Sequence, residues 1–206
     1  MSASELKHEP RKGPAPTPTQ IFVFENVEEL DFVGPWEVFG MADRLYPGTF
    51  PTQLVGLEPG RIRARFGMTF EAMGSIYDPP APRLLVIPGG PGRRAMTQNT
   101  RLLDHVKRAR AGGTLLASVC TGAFVLAAAG LLDGRSATTH SSALDELREY
   151  PRVAVVKRRF VDSNEIVTAA GISAGIDMSL HLVARFLGKE AADNVADTME
   201  YSSPAG

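Results

Sequence analysis

The sequence predicts an α/β fold, a three-layer sandwich with a mostly parallel central sheet. Three observations lead there. Short apolar runs of strand length recur along the chain,. Helical patterns alternate with them, the order that covers both faces of a parallel sheet. No internal repeat or linker divides the chain. In order, Gln20–Phe24 and Thr52–Leu57 read as strands, and Ile62–Arg65 with Thr69–Glu71 as a hairpin around Gly67,. Leu84–Ile87 is a strand ended by Pro88-Gly-Gly-Pro-Gly92, and Thr114–Ser118 is another buried strand. Ala137–His140, Ala154–Lys157 and Glu165–Thr168 complete the set.

The helices follow from period and punctuation. Pro35 is expected to open a helix to Leu45, because proline suits the first helical position,. Thr100–Ala111 places Leu102, Leu103, Val106 and Ala109 on one face and stops at Gly112-Gly113,. Thr121–Ala129 is almost wholly apolar, which predicts a buried central helix,. Ser142 and Asp145 form a capping pattern for a helix to Tyr150,. Ile176, Leu180, Val183, Ala184 and Leu187 share a helical face, and Gly188 separates a last helix from Lys189 to about Thr198.

Composition narrows the function. Among 206 residues, 22 Lys and Arg face 23 Asp and Glu, a net charge of −1. That balance argues against a nucleic-acid partner held by phosphate neutralisation. The single cysteine, Cys120, excludes an intrachain disulfide and a Cys-based structural zinc site,. The four histidines (His8, His105, His140, His181) show no metal-ligand spacing, so neither metal nor cofactor is expected. Residues 1–19 are polar and Pro-rich without a signal-peptide core, which predicts a disordered or loosely docked arm on a cytoplasmic protein,. Residues 20–206 then form one domain. The charge-free stretch between Arg110 and Asp133 is long enough to span a bilayer, but its glycines and central Ser118, Cys120 and Thr121 fit a strand, turn and buried helix instead,. No membrane association is expected.

The chemistry concentrates at Ser118-Val-Cys120-Thr-Gly122, where an apolar strand runs straight into an apolar helix. This is the pattern of a nucleophile elbow, whose sharp turn projects one side chain at the carboxyl edge of the sheet. The helix N-terminus behind it should favour a thiolate and lower the thiol pKa from about 8.5. Gly89 and Gly90 would offer backbone N–H donors to a ligand,. Gly90-Pro-Gly92-Arg-Arg-Ala95 also fits a dinucleotide fingerprint, but no acidic residue follows at ribose-binding distance,. Asp31 lies among Leu30, Phe32 and Val33, so partial burial should raise its pKa and suit it to proton transfer, whereas Glu25 and Glu28 read as solvated loop acids,. His140 would end a strand near the elbow.

Together, Leu30-Asp31-Phe-Val-Gly-Pro35, Pro88–Gly92, Ser118–Gly122, Gly130–His140 and Gly171–Asp177 resemble the ThiJ/PfpI superfamily, related to class I glutamine amidotransferases. The resemblance covers about Ile21 to Tyr201 and implies a flavodoxin-like, class I glutamine amidotransferase-like sandwich. Within the superfamily the chain looks most like isonitrile (isocyanide) hydratases, and it is similar to the sensor half of certain AraC-type regulators. A chain ending at Gly206 is expected to lack their helix-turn-helix region. The resemblance makes Cys120 the nucleophile, Asp31 the neighbouring acid and Thr121 an orienting group. Gly89, Gly90, Ile172 and His140 would contact a small-molecule substrate, and the assembly would be a homodimer. It implies addition of water to an isocyanide, giving a formamide. A glyoxalase or deglycase activity and a redox or ligand sensor are the alternatives. Two departures stand out. Glu28-Glu29 replaces amides usual before the Asp, which should raise the thiol pKa by repulsion,. Ser141, Ser142 and Ala143 follow the His in place of a Trp or Tyr, which implies a roomier or more polar pocket.

Overall fold

The computed structural model describes residues 15–202. The expected N-terminal arm therefore lies, over residues 1–14, outside the described residues. Its last stretch is tied down: Thr17 N–H donates to Thr49 O at 2.7 Å, and Arg83 donates to Pro16 O at 2.8 Å.

The central sheet has seven strands. β1 (Thr19–Phe22) pairs on one side with β2 (Thr52–Gly56), which is followed outward by the short β5 (Gly74–Ser75). On its other side β1 pairs with β6 (Leu84–Ile87), then come β7 (Leu115–Val119), β11 (Ile166–Ala169) and β10 (Phe160–Asp162). All pairings are parallel except β10–β11. Every residue of β1, β6, β7 and β11 is buried, as strands covered on both faces require,. A hairpin of β3 (Gly60–Arg63) and β4 (Thr69–Ala72) stands apart from the sheet, as does the parallel pair β8 (Ser136–Ala137) and β9 (Ala154–Val155).

Helices lie on both sides. α1 (Glu29–Leu45) packs on α6 (Ala174–Leu187), and α7 (Lys189–Thr198) packs on both. α4 (Ala123–Ala128) lies on β7 with α2 (Arg93–Met96) and α3 (Thr100–Ala111) beside it; the short α5 (Leu144–Arg148) follows β8. The predicted α/β sandwich is therefore the fold.

Three expectations need correction. The first helix opens at Glu29, not at Pro35, which sits inside it. Pro35 lacks the N–H that would bond to the Asp31 carbonyl. The helix continues through it because α1 is clamped to α6: Gly34 meets the Ile176 side chain, and Gly175 meets Pro35. The strand expected to reach His140 stops at Ala137. The 120s helix begins only at Ala123, after a 3-10 turn over Cys120–Gly122. Among the described residues no helix is long and apolar enough to cross a membrane.

The chain leaves β1 outward through β2 and β5, then returns to the other side of β1 with β6. The strand order thus reverses between β1 and β6, where the carboxyl ends of an open α/β sheet form a crevice,. The segments after β1, β6, β7 and β11 all emerge at that end.

Candidate active site

β7 ends at Val119, and the next residue breaks the strand without leaving the ladder. Cys120 N–H still donates to Ala170 O at 3.1 Å beside β11. The Cys120 backbone then enters the left-handed region, φ 55°. For a residue with a Cβ this costs about 1–2 kcal/mol, a strain held by its surroundings. Thr139 Oγ1 pins the Cys120 carbonyl at 2.8 Å. Gly122 is required because a Cβ there would lie 2.1 Å from the Ile87 carbonyl oxygen, so the turn presses flat on the end of β6. Gly171 is required for a related reason: a Cβ would meet the His140 ring at 2.1 Å and the Cys120 sulfur at 3.1 Å.

Asp31 comes from the first turn of α1 and is fully buried. Its Oδ2 accepts from Gly89 N–H at 2.9 Å. Its Oδ1 is buried with no hydrogen-bond partner of ordinary geometry, while the carboxyl as a whole couples to the Cys120 thiol. Burial pushes Asp31 up to about 7. The Gly89 N–H opposes that rise and the Glu28 charge adds to it,. Burial also pushes the Cys120 thiol up to about 12, with the Asp31 charge next in importance. The N–H and hydroxyl of Thr121 act in the opposite sense but do not prevail. This corrects the expectation of a lowered thiol pKa. The sulfur is largely buried and has a second acid beside it, and together these outweigh donors at a short helix start,.

The glycine loop also differs from expectation. Gly89 N–H is committed to Asp31, and Gly90 N–H donates to Thr121 Oγ1 at 3.0 Å. Neither is a free donor for a ligand. The loop is instead a brace that holds the carboxyl and the threonine hydroxyl against the elbow. A Cβ on Gly89 would lie 2.5 Å from Thr121 N, so the close approach depends on glycine,.

Glu28 is not a solvated loop acid. It is 4% exposed, and Arg65 Nη1 donates to its Oε2 at 2.6 Å. Arg65 arrives from the turn of the β3–β4 hairpin, whose backbone bonds to the segment after β1 through Arg65 N–H to Val27 O and Asn26 N–H to Arg63 O. The excess negative charge read from Glu28-Glu29 is therefore largely answered. Glu29 Oε1 accepts from Phe66 N–H of the same hairpin. Sequence reasoning missed Arg65; the only sign of it was a cation in the hairpin turn near Gly67.

An open pocket of about 460 Å³ lies over the sulfur. Cys120, Thr121, Gly90, His140 and Ile172 line it, whereas Asp31 and Gly89 sit behind its wall. His140 Nδ1 accepts from Ser142 N–H at 3.2 Å and lies 2.8 Å from Ser142 Oγ. In the neutral ring that leaves the proton on Nε2. Ser142 also lines the pocket, in keeping with the polar wall expected after His140. Among the described residues no three His, Cys, Asp or Glu side chains converge to hold a metal. The arrangement brings a buried carboxyl and a thiol together beneath an open pocket of mixed lining, a unit able to add a nucleophile and a proton to one small electrophile.

Residues 19–185 match the DJ-1/PfpI family. The chain is 31% identical to an isonitrile hydratase from Pseudomonas putida over 180 residues, covering 87% of this chain and 76% of that protein. It is 32% identical over 170 residues to the HTH-type transcriptional regulator CdhR from Pseudomonas aeruginosa. That match covers 82% of this chain and 50% of the regulator, so the chain spans about half of its length. Among solved structures, a ThiJ/PfpI family protein from Pseudomonas syringae superimposes with a TM-score of 0.82 at 24% identity. It covers 98% of this chain and 86% of that one, a likeness of fold.

Proposed function

This chain belongs to the DJ-1/PfpI family, and from that premise we propose that it hydrates an isocyanide to an N-substituted formamide, with Cys120 as nucleophile and Asp31 as proton carrier. The observation that supports this reading most is the coupled Asp31–Cys120 pair beneath an open pocket. Likeness to the isonitrile hydratase from Pseudomonas putida supports the substrate.

The terminal carbon of an isocyanide accepts both a nucleophile and a proton. The reactive form is a minor tautomer of the singly protonated pair, reached when the thiol passes its proton to the Asp31 carboxylate, which leaves the proton on Asp31 and the charge on sulfur. In that form the Asp31 charge that opposes thiolate formation is gone, while the Thr121 donors remain,. The thiolate bonds to the terminal carbon as Asp31 delivers its proton there, giving an S-linked thioimidate. Water then adds to the same carbon. Asp31, now a carboxylate, takes a proton from the water and passes it to nitrogen. As the C–O–H group becomes a carbonyl, its proton returns to Asp31, the C–S bond breaks and the formamide leaves. One water is consumed, and the thiolate and carboxylic acid are restored.

The test uses cyclohexyl isocyanide and methylglyoxal with the wild-type chain and with Cys120→Ser. Formamide production that falls at least about a thousandfold in the variant is the expected result. Lactate from methylglyoxal overturns the substrate assignment in favour of a glyoxalase. A second reading rests on the likeness to the CdhR regulator: no turnover of either compound, with ready oxidation of Cys120 to a sulfenic acid, identifies a sensor.

A further inference from the structure

Three arginines line the pocket over Cys120, namely Arg65, Arg93 and Arg94. They are not equivalent. Arg65 is held by Glu28 at 2.6 Å. Arg93 is buried, with Nη2 at 2.6 and 2.7 Å from the two Glu146 carboxylate oxygens, and its guanidinium lies 3.8 Å from the Phe124 ring centre. Both are fixed and neutralised. Arg94, the next residue on the four-residue α2, is exposed and has no ion-pair partner among the described residues. One cation with an unanswered charge is therefore left on the pocket wall, and the lining contains a single carboxylate, Glu28, already engaged.

A pocket built only for a neutral hydrocarbon isocyanide gains nothing from this arrangement. An uncharged alkyl group seated against Arg94 would strip water from its charge and give it no partner in return. We infer that the substrate carries an anionic group, a carboxylate in the first instance, which Arg94 binds while the reactive carbon lies over Cys120. The planar guanidinium offers a forked pair of donors that matches a carboxylate. The backbone donors of the glycine loop cannot serve instead, because Gly89 and Gly90 already spend their N–H groups on Asp31 and Thr121. This inference deepens the hydratase reading and rests on it for the identity of the reacting group, but the anion site itself is tested independently.

The experiment compares isocyanoacetate with cyclohexyl isocyanide as substrates of the wild-type chain and of Arg94→Gln. The expected result is a preference for the carboxylate in kcat/KM that weakens as salt rises. The ratio of the two kcat/KM values should fall about tenfold in the variant, the effect of one exposed charge-assisted contact. Arg94→Lys should restore part of the ratio, since charge returns without the fork. Equal kcat/KM for both substrates in the wild type, or a ratio unmoved by Arg94→Gln, overturns the inference. A second measurement separates its failure from failure of the hydratase reading. Calorimetric binding of N-formylglycine and N-cyclohexylformamide to Cys120→Ser, with and without Arg94→Gln, needs no turnover. Selective binding of N-formylglycine that is lost with Arg94 upholds the anion site even if no isocyanide is hydrated. Equal or absent binding of both compounds overturns it even if hydration occurs.

Discussion

Asp31 and Glu165 lie at opposite ends of the same sheet, and their surroundings treat the same functional group in opposite ways. Glu165 precedes β11 at the amino end of the strands. Arg110 and Arg135 hold its two oxygens at 2.7 and 2.8 Å, and they keep its pKa below the usual carboxylate range. It is solvated, satisfied and structural. Asp31 lies at the carboxyl end, with one oxygen on a backbone N–H, the other without an ordinary partner, and no water-exposed surface. Its pKa rises to about 7. Partners and solvent, not residue type, decide whether a carboxyl acts as a tie or as a proton carrier. Both ends hold a residue at positive φ, Cys120 at 55° and Asn164, beside Glu165, at 67°; asparagine suits that region through its short polar side chain, whereas cysteine does not, so the strain lies at the carboxyl end,.

Between the two ends, the larger expected effect comes from turning the buried carboxyl into a neutral hydrogen-bonding group. Asp31→Asn keeps an acceptor for Gly89 N–H and removes the proton, so under the proposed mechanism hydration should fall about 100-fold or more in single-turnover assays,. The same substitution has a stability signature. The folded Asp31 binds its proton up to about pH 7, against about 3.8 for the free group. Its contribution is therefore complete below about pH 4 and is lost as pH rises through 7. Chemical denaturation between pH 4 and 8 should show wild-type stability declining by a few kcal/mol relative to Asp31→Asn. A flat difference would mean that Asp31 is ionised throughout.

A smaller loss is expected from disturbing only the backbone of the elbow. Gly122→Ala places a Cβ against the Ile87 carbonyl and should cost about 2–3 kcal/mol in denaturant unfolding,. It should also displace Cys120 and depress turnover. The smallest effect belongs to the opposite end. Glu165→Gln should lower the melting temperature slightly near neutrality and leave turnover untouched. Because the folded pKa of Glu165 is lowered, that difference is present above the usual glutamate pKa and should vanish as acid protonates the wild-type residue,. A turnover defect in Glu165→Gln would erase the contrast between the two ends.

Much of this was legible in the chain. α3 runs from Thr100 to Ala111, as its apolar face and the Gly112-Gly113 stop predict, and α7 follows Gly188 as expected. Those boundaries are set by local pattern and punctuation, which sequence carries directly. The elbow was legible for the same reason, since an apolar strand, one cysteine and a glycine sit side by side. Pro35 misled because proline at a helix start is a local rule, whereas the α1–α6 clamp that carries the helix through it joins residues far apart in the chain. Arg65 was invisible because it reaches Glu28 only after the β3–β4 hairpin folds back over the segment following β1.

The sequence by itself determined the α/β class, the strand–cysteine–glycine junction and the candidate acid beside it, because each depends on hydrophobic period or neighbouring residue types. The tertiary structure decided the acidity of both groups, the occupation of the glycine-loop donors and which arginine keeps its charge unanswered. Burial and charge pairing sum over every element packed around a group, and no stretch of neighbouring residues contains that sum.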